Sequence, residues 1–597
     1  MPNFVKIFFG SCFGTLLALV VIFGIAFFSI IGLAAGSSGG DKPSVEANSI
    51  LKLDLTVVPE LTGNVDGNSS FTSFNLEMDE VLGVHDIIRL IEKAKDDDDI
   101  KGIYLNSSMQ SGGFTKLRMI REAIIEFRES GKFVVSYAPF YDQSAYYLAT
   151  AGDEIYVGPL GVIDFRGFGA DIPFYKNLMD KMGVRMEIFY AGKFKSATEP
   201  YRLTKMSEEN KLQTRIYLTD MFNFMVDDIA ESRNLSSAEV RSRVDNLAGW
   251  KGEEAVSGGL IEGIKRSAEV DARLHELVGF DDDDELVTID AAKYFSARMS
   301  KLKGRGDEVA VLVAEGTIMD GKVPNGSIGD KKYVEELERL MHDDDVKAVV
   351  LRVNSGGGSA SSSENIWYAA EELKAAGKPF VVSMGSVAAS GGYYIAAGAD
   401  SIFAEPSTIT GSIGVFSMFP IVEEMLNDKV GIGFDTVNVG RHANSFSPFR
   451  SMGEEEKAVM TARTEAIYAT FLDRVAEGRD LPLETVREIA QGRVYSGTRA
   501  LELGLVDRLA SLDEAIDAAV TLADLDRDDV SVGHYPRIKP PLEQLIEDLL
   551  GEDAAKGFSN AMVKEQVGEK TYEHFKLLRE MTEAQGVQAR MTEVVNW

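Results

Sequence analysis

The feature that most constrains the fold of this chain is an internal repeat. Four stretches recur in the same order in the second half of the sequence: 97–101 as 343–347, 131–136 as 377–383, 145–148 as 392–395, and 180–184 as 428–432. The first of these pairs reads Asp-Asp-Asp-Ile-Lys against Asp-Asp-Asp-Val-Lys. Because the spacing between the copies stays nearly constant, the sequence predicts two copies of one structural unit.

Within each copy, short apolar runs alternate with helical patterns, and the loops between them are rich in Gly, Asn and Asp. This order is typical of an α/β fold in which helices connect the strands. We therefore expect four parts: an anchor and linker at 1–40, a first repeat at 41–306, a second repeat at 307–530, and a mostly helical extension at 531–597.

A serine elbow distinguishes the second repeat from the first. A short strand predicted at 380–383 runs through small residues into Ser390, and Gly391 and Gly392 follow before a predicted helix. A serine at such a turn presents its hydroxyl, and the amide of Gly391 would face a developing oxyanion. The alternative is a turn of small residues that serves packing alone, because Ala-Ala-Ser-Gly-Gly is not the Gly-x-Ser-x-Gly elbow of α/β-hydrolases.

The two repeats differ in complementary ways. When the copies are aligned, Ser390 falls opposite Gln143, so the first repeat lacks the elbow. Lys195 of the first repeat falls opposite Ala443, so the second repeat lacks the lysine. The first repeat also lacks a counterpart of 410–414. Each copy retains a different part, which indicates one composite site.

Lys195 is the candidate base for the serine. A serine hydroxyl needs a neighbouring base, and a lysine amine serves only when burial or a nearby positive charge lowers its pKa from about 10.4. Lys193 lies close enough in sequence to supply such a charge. Two alternatives stay open: Lys195 is an ordinary solvated lysine, or the base is His442, which lies in the second repeat's counterpart of the same loop.

A glycine-rich turn at 352–359, Arg-Val-Asn-Ser-Gly-Gly-Gly-Ser, follows a predicted strand and precedes a predicted helix at 360–376. Its glycines let backbone amides approach a ligand, and a helix N-terminus favours an anion, so the turn would complete an oxyanion hole. A phosphate loop is the alternative, although the turn does not read Gly-x-x-x-x-Gly-Lys-Ser/Thr. Ser412, in Thr-Gly-Ser-Ile-Gly, would either orient a lysine amine or serve only its turn.

The residues at 16–35 form an apolar run of the length that a bilayer core requires, about 20 residues. Lys6 precedes the run and Asp41 follows it, which favours a cytoplasmic amino terminus and a large body on the far side of the membrane. A cleavable signal peptide is the alternative, but the run exceeds the usual apolar region of about 7–15 residues. We therefore expect a single-pass anchor followed by a flexible linker at 36–40.

The net charge of −32 argues against nucleic acid as a partner. Runs of aspartate at 96–99, 281–284 and 343–345 lack the ligand spacing of an EF-hand loop, so we expect no bound metal, and nothing else in the sequence indicates a cofactor. Cys12 is the only cysteine, which leaves no intrachain disulfide.

Four motifs occur in register across the two repeats. They are the glycine-rich turn at 354–358, the elbow at 386–394, Pro-Ser-Thr-Ile-Thr-Gly-Ser-Ile-Gly at 406–414, and Lys-Ser-Ala-Thr-Glu-Pro at 195–200. Together they resemble the signal peptide peptidase A family in its long tandem-domain form, also called protease IV. The resemblance implies two crotonase-like domains, as in Clp protease subunits, after a transmembrane helix. It also implies a bowl-shaped homotetramer on the outer face of the bacterial cytoplasmic membrane.

Carried over by motif, the resemblance implies that Ser390 is the nucleophile, Lys195 the general base, and Ser412 the residue that orients the lysine. The amides of Gly391 and of the Gly357 region would form the oxyanion hole. Gly356 stands where this family commonly has proline. The substitution loosens the turn and leaves open which of its amides points inward.

The expected function is that of a membrane-anchored Ser-Lys endopeptidase. It would degrade cleaved signal peptides and other short hydrophobic peptides through an acyl-enzyme, without a cofactor. Two other classes remain open. One is a crotonase-like acyl-CoA enzyme, because paired glycine-rich turns also hold thioester oxyanions. The other is a non-catalytic scaffold in which the repeat only builds a ring.

Overall fold

The computed structural model describes residues 44–62, 81–279, 285–299, 306–323 and 326–536, and the backbone of 588–590. The strands, in chain order, are β1 (Ser49–Leu53), β2 (Ile100–Leu105), β3 (Phe133–Ala138), β4 (Glu154–Val157), β5 (Arg185–Ala191), β6 (Gly263–Ile264), β7 (Thr288–Asp290), β8 (Glu308–Glu315), β9 (Thr317–Met319), β10 (Ser327–Gly329), β11 (Val346–Ser355), β12 (Gly357–Ser359), β13 (Phe380–Ala389), β14 (Ser401–Ala404), β15 (Ile409–Gly411), β16 (Val415–Ile421), β17 (Val494–Ser496), β18 (Arg508–Leu509), β19 (Ser531–Tyr535) and β20 (Gln588–Arg590).

The α-helices, in the same order, are α1 (Val84–Lys95), α2 (Phe114–Arg128), α3 (Gln143–Ala149), α4 (Lys176–Met182), α5 (Glu199–Arg202), α6 (Glu208–Arg233), α7 (Ser237–Asp245), α8 (Gly252–Ser257), α9 (Ser267–Val278), α10 (Ala291–Arg298), α11 (Asp330–His342), α12 (Ala360–Ala375), α13 (Gly391–Tyr394), α14 (Glu454–Gly478), α15 (Leu483–Ile489), α16 (Gly497–Glu502) and α17 (Leu512–Leu522).

The first sheet belongs to the first repeat and is parallel throughout, with the strand order β6-β4-β3-β2-β1-β7. Successive residues of its strands point to opposite faces. Leu51 and Ile103 pack with α1 and α2 on one face, whereas Ile50 and Tyr104 pack with α9 on the other. Both faces are therefore covered by helices, as a parallel sheet requires.

The second sheet repeats this plan in the second repeat. Its order is β17-β15-β13-β11-β8-β19; in addition, β14 pairs with β13, and β18 pairs with β14. All its pairings are parallel except the antiparallel pair of β15 and β17. The central strand β11 reads Val-Lys-Ala-Val-Val-Leu-Arg-Val-Asn-Ser and is buried along nearly its whole length, because α11 and α12 cover one face and α17 the other.

A third, mixed sheet joins the two repeats. Its order is β10-β9-β12-β20-β16-β5. Strand β5 of the first repeat pairs antiparallel with β16 of the second repeat along its full length, from Arg185 opposite Ile421 to Ala191 opposite Val415. This pairing brings the segment that follows β5 next to the segment that precedes β16, so Lys195 and Ser412 approach each other.

A buried ion pair also joins the repeats. The guanidinium Nε of Arg352, on β11, lies 3.0 Å from Oε2 of Glu60, and both side chains are almost completely buried. Burial alone would raise the pKa of the Glu60 carboxyl, but Arg352 and Lys116 outweigh it and hold that pKa below its usual value. Glu60 is therefore a buried carboxylate whose charge depends on a partner from the other repeat.

The sequence expectations for these elements have mixed outcomes. The strand expected at 380–383 is the first part of β13, which continues to Ala389, and the expected helix at 360–376 is α12. The helical extension expected from 531 begins instead with a strand, because β19 pairs parallel with β8 and continues the second sheet. The boundary expected at 530 therefore falls short of Tyr535, which is buried in the core of the second repeat.

The rest of the extension, 537–587 and 591–597, lies outside the described residues, and so does the expected anchor at 16–35. Within the ranges that the structure describes, no helix is long and apolar enough to cross a membrane.

Candidate active site

Ser390 occupies the turn between β13 and α13. Its backbone has φ 57° and ψ −117°, a conformation that costs free energy for a residue other than glycine. The backbone amide of Ser390 donates to the carbonyl of Gly411, 2.8 Å away, and this bond helps to hold the turn. Gly392 is required behind the turn, because a Cβ there would lie 2.4 Å from the carbonyl oxygen of Ser355. The serine is thus fixed at a tight, strained elbow.

Lys195 reaches this elbow from the first repeat. Its Nζ lies 2.6 Å from Ser390 Oγ, although the two residues are 195 positions apart in the chain. The side chain is only 2% exposed. The structure therefore brings together the two residues that the repeats retain separately.

Ser412 is the third polar residue at the lysine. Lys195 Nζ lies 3.1 Å from the Ser412 carbonyl oxygen and 3.2 Å from Ser412 Oγ. The carbonyl oxygen can only accept a hydrogen bond, so one N–H of the lysine points to it. If a second N–H points to Ser412 Oγ, the lone pair of a neutral amine remains for the proton of Ser390.

Burial disfavours the charged form of Lys195. Burial lowers the pKa of Lys195 well below its usual range, because a charged ammonium loses its hydration there. Among the described residues, no carboxylate offsets this effect on the pKa of Lys195. A neutral amine next to a serine hydroxyl has the arrangement of a general base and its nucleophile.

Glycines let the second repeat close around the lysine. Gly492 packs against Lys195 so tightly that a Cβ there would lie 2.7 Å from Lys195 Cβ. Gly492 also has φ +73°, a conformation that favours glycine. The amide of Phe194 donates to the carbonyl of Gln491 at 2.9 Å. The loop at 490–493 of the second repeat therefore forms part of the wall around the lysine.

The two expected oxyanion amides differ in their surroundings. Gly391 is the first residue of α13, so its N–H has no carbonyl within the helix to bond. The amide of Gly357, in contrast, donates to Ser355 Oγ at 3.1 Å, and that hydroxyl donates to the carbonyl of Gly316 at 2.6 Å. Gly357 has φ +93°, which turns the chain sharply into β12 after Gly356. In this conformation the Gly357 amide has a partner within its own turn.

The structure does not bring His442 to the serine. His442 lies on an exposed loop, where its Nε2 is 3.8 Å from Glu455 Oε1 and its Nδ1 is 3.5 Å from Ser445 Oγ. Among the described residues, no group of three or more His, Cys, Asp or Glu side chains is placed to hold a metal ion. Lys195 is thus the basic side chain that contacts Ser390.

A slot for an extended chain lies beside the serine. It is bordered by β12, which follows the glycine-rich turn, and by β16, which begins shortly after Ser412. The backbone of 588–590 fills the slot as β20, antiparallel to both strands, with Ala589 opposite Gly358 and Gln588 opposite Phe416. The slot therefore accepts a polypeptide as an added strand.

Two polar residues near the site were not sequence candidates. Ser355 holds the glycine-rich turn, and its signal was its place within the Asn-Ser-Gly-Gly-Gly motif. Gln213, on the long helix α6, donates to the backbone of the Lys195 loop. It belongs to no motif, and nothing in the spacing of its helix marks it.

Comparisons with known proteins show which family the chain is similar to. The model of "Peptidase family S49" matches residues 126–281 and 372–526, one stretch in each repeat. "Protease 4" of Haemophilus influenzae is 33% identical over 569 residues, which cover 93% of this chain and 92% of the relative. "Protease 4" of Salmonella typhi is 34% identical over 448 residues, which cover 74% of this chain and 72% of the relative.

A shorter relative matches part of the chain. "Putative signal peptide peptidase SppA" of Enterococcus faecium is 36% identical over 188 residues, or 32% of this chain and 54% of the relative. The family match in both repeats and the near full-length identity with Protease 4 settle the family. The chain belongs to peptidase family S49, in the tandem form of Protease 4, and is a serine protease.

Proposed function

We propose that the protein is a membrane-anchored endopeptidase that uses a Ser390–Lys195 dyad to degrade signal peptides and other short hydrophobic peptides. The contact that carries this proposal is the 2.6 Å approach of a buried Lys195 Nζ to Ser390 Oγ. The substrate class rests on the name of the Enterococcus faecium relative, a putative signal peptide peptidase.

In the first step, neutral Lys195 takes the proton of Ser390 while Oγ bonds to the scissile carbonyl carbon. The resulting oxyanion is stabilised by the amide of Gly391 and by an amide of the glycine-rich turn, where Gly357 is the expected donor. For Gly357 to serve, its amide must leave Ser355 Oγ when substrate binds, since the two are hydrogen-bonded at 3.1 Å.

In the second step, the C–N bond breaks and the Lys195 ammonium gives its proton to the leaving amine. Water then attacks the acyl-enzyme ester, with Lys195 again accepting a proton, and Ser390 is released with its own proton restored. Ser412 orients the amine throughout through its hydroxyl and carbonyl oxygens, 3.2 and 3.1 Å from Nζ. The cycle needs no cofactor.

The strand slot supports an extended peptide as the substrate. A peptide between β12 and β16 would have its backbone bonded on both sides, which gives affinity without a demand for particular side chains. Such binding suits the degradation of signal peptides, whose apolar regions share composition and not sequence.

The membrane anchor and topology are part of the same proposal. The apolar run at 16–35 would place the two repeats on the outer face of the bacterial cytoplasmic membrane, where cleaved signal peptides remain. We also assign the repeats to the crotonase-like fold, on the strength of the motif resemblance and the repeated α/β plan.

A homotetrameric ring would explain an exposed apolar segment in the second repeat. In the first repeat, β5 pairs with β16; its counterpart in the second repeat, 433–439, forms no strand within the described chain. Val437 and Val439 of this segment are 93% and 94% exposed. A second copy of the chain, in contact with this segment through its first repeat, would cover both valines and close a ring head to tail.

Native mass spectrometry of the detergent-solubilised chain tests the ring. Val437→Asp with Val439→Asp should yield monomers, because two buried charges would oppose the contact. Leu522→Asp, at an exposed apolar residue on α17, is the matched control and should leave the tetramer intact. A tetramer that persists in the double variant would remove this segment from the interface.

Peptide hydrolysis by the full chain tests the dyad. We expect Ser390→Ala and Lys195→Ala to abolish turnover of an apolar peptide, and His442→Ala to retain it. A fluorophosphonate should label Ser390 in the wild type, whereas retention on a CoA resin without labelling would favour an acyl-CoA enzyme. Normal activity of Lys195→Ala would place the base elsewhere.

A further inference from the structure

A buried glutamine connects the lysine loop of the first repeat to the second repeat. Gln213 lies on α6 and is 2% exposed. Its Nε2 donates to the carbonyl of Phe194 at 3.0 Å and to Ser196 Oγ at 3.1 Å, so it holds the residues on both sides of Lys195. Its Oε1 accepts from the backbone amide of Val494 at 3.4 Å.

These partners fix the orientation of the amide. The Phe194 carbonyl can only accept, and the Val494 N–H can only donate, so the nitrogen of Gln213 must face the first and its oxygen the second. Only a side chain with one donor end and one acceptor end satisfies both groups. A carboxylate lacks the donor, and an apolar side chain would leave two buried backbone groups without a partner.

The second branch of this connection ends at Ser412. Val494 lies opposite Gly411 in the pairing of β17 with β15, and Gly411 directly precedes Ser412. The amide of Ser412 donates to the carbonyl of Arg493 at 2.7 Å. The side-chain amide of Gln213 therefore connects the backbone around Lys195 to β17. Strand β17 pairs with β15, which leads into Ser412, and Ser412 supplies the two oxygen atoms that contact Lys195 Nζ.

We propose that Gln213 is a positioning residue for the dyad: it holds the backbone of Lys195 in register with Ser412 and Ser390. It touches neither the substrate nor the reacting atoms and acts through the two backbone segments. The inference rests on the proposed role of Lys195 as the base. Its importance follows from the geometry of proton transfer, because a displacement of about 1 Å at such a site can cost about 100-fold in rate.

The test is the steady-state and acylation kinetics of Gln213→Met in the full chain. Met keeps the volume and removes both connections, so we expect kcat to fall by about 10- to 100-fold and KM to change by less than about 2-fold. The rate of fluorophosphonate labelling at Ser390 should fall in parallel, because labelling needs the base but no peptide binding.

Gln143→Met is the matched control. Gln143 Oε1 accepts from the amides of Arg166 and Gly167 at 3.1 and 2.8 Å in the first repeat, so this variant also loses two bonds to backbone. It has no bond to the lysine loop and should keep kcat within about 2-fold. An equal loss of kcat in both variants, or no loss in Gln213→Met, would overturn the inference.

Gln213→Glu separates positioning from general destabilisation. When protonated, the new carboxyl can donate to the Phe194 carbonyl and accept from Val494, as glutamine does; when ionised, it can only accept. The kcat of this variant relative to wild type should therefore fall as pH rises through the titration of that carboxyl. A ratio independent of pH would contradict the inference. Inactivity of Lys195→Ala alongside a normal Gln213→Met would sink this inference alone, whereas an active Lys195→Ala would sink the proposed function.

Discussion

The loops that follow the last shared stretch of the two repeats begin alike and end in different environments. Gly192 and Gly440 open them with nearly the same backbone conformation, φ 103° and 107°. The first loop is then enclosed by Gln213 and by the loop at 490–493, and its Lys195 is buried; the second runs exposed past Ala443. The difference shows that the second repeat contributes to the burial that lowers the pKa of Lys195.

The serine elbow shows the same contrast in reverse. At Ser390 the second repeat has a strained backbone and a hydroxyl that faces the lysine. The aligned residue of the first repeat, Gln143, begins α3 without strain, and its side chain ties down the amides of Arg166 and Gly167. At this position the first repeat stabilises its own loop, whereas the second repeat presents a serine hydroxyl to Lys195.

Moving the lysine from the first repeat to the second should have the largest effect on activity. We expect Lys195→Ala combined with Ala443→Lys to remain inactive, with kcat at least about 10³-fold below wild type, because a lysine at 443 is solvated and far from Ser390. Peptide hydrolysis measures this, and Ala443→Lys alone should be fully active as the control. Recovered activity in the double variant would show that the two loops are equivalent.

Removing one partner of the buried ion pair between the repeats should have the next largest effect, a loss of stability. Glu60→Leu leaves Arg352 buried without its carboxylate and should lower the free energy of unfolding by about 3–5 kcal/mol. Glu60→Leu combined with Arg352→Met should recover most of that loss, because neither charge remains. Urea denaturation of the four proteins of this cycle measures both effects, and additivity of the two single changes would exclude a coupled pair.

Ser412 tests a further difference between the repeats, because the first repeat has no counterpart of the turn at 410–414. Ser412→Ala removes the hydroxyl 3.2 Å from Lys195 Nζ but keeps the carbonyl bond. We expect kcat to fall by about 10-fold with KM unchanged, the size of one hydrogen bond, about 1.4 kcal/mol. Thr410→Val, two residues earlier, is the control and should keep kcat, because the Thr410 hydroxyl donates only to Ala388. Equal effects of the two changes would point to the turn and not to the lysine.

The pH profile of the wild type tests the lowered pKa of Lys195, for which we expect the smallest effect. In the proposed mechanism the neutral amine is the active form, so kcat/KM should rise with pH through the lowered pKa and level off well below the ordinary value of about 10.4. Between these two values the unfolded chain binds one more proton than the folded chain, so the stability should also increase with pH there. A rising limb centred near pH 10 would show a solvated lysine.

Much of the site could be predicted because several of its residues lie in motifs that are continuous in the sequence. The small residues around Ser390 and the glycines at 356–358 mark turns on their own, and the aligned repeats show that Lys195 and Ser390 survive in different copies. The distance between the two could not be read from the sequence, because it depends on the pairing of β5 with β16. That pairing is made of backbone bonds, which carry no sequence signature.

The remaining features depend on tertiary contacts between distant positions. Gln213 and Val494 are 281 positions apart, and Glu60 and Arg352 are 292 apart. Each looks like an ordinary polar residue in its own segment. Strand β20 could not be predicted for the same reason. Its three residues have no β pattern of their own, and they form a strand because the edges of β12 and β16 lie on either side.

The separation of Lys195 and Ser390 in the chain affects the stage of synthesis and folding at which the enzyme could begin to cleave other proteins. A ribosome makes the first repeat before the second, so Lys195 exists for a time without Ser390. Ser390 in turn contacts Lys195 in the fold in which β16 pairs with β5. A chain that is half made or misfolded therefore lacks this contact, and under the proposed mechanism its proteolytic activity depends on the correct folding of both repeats.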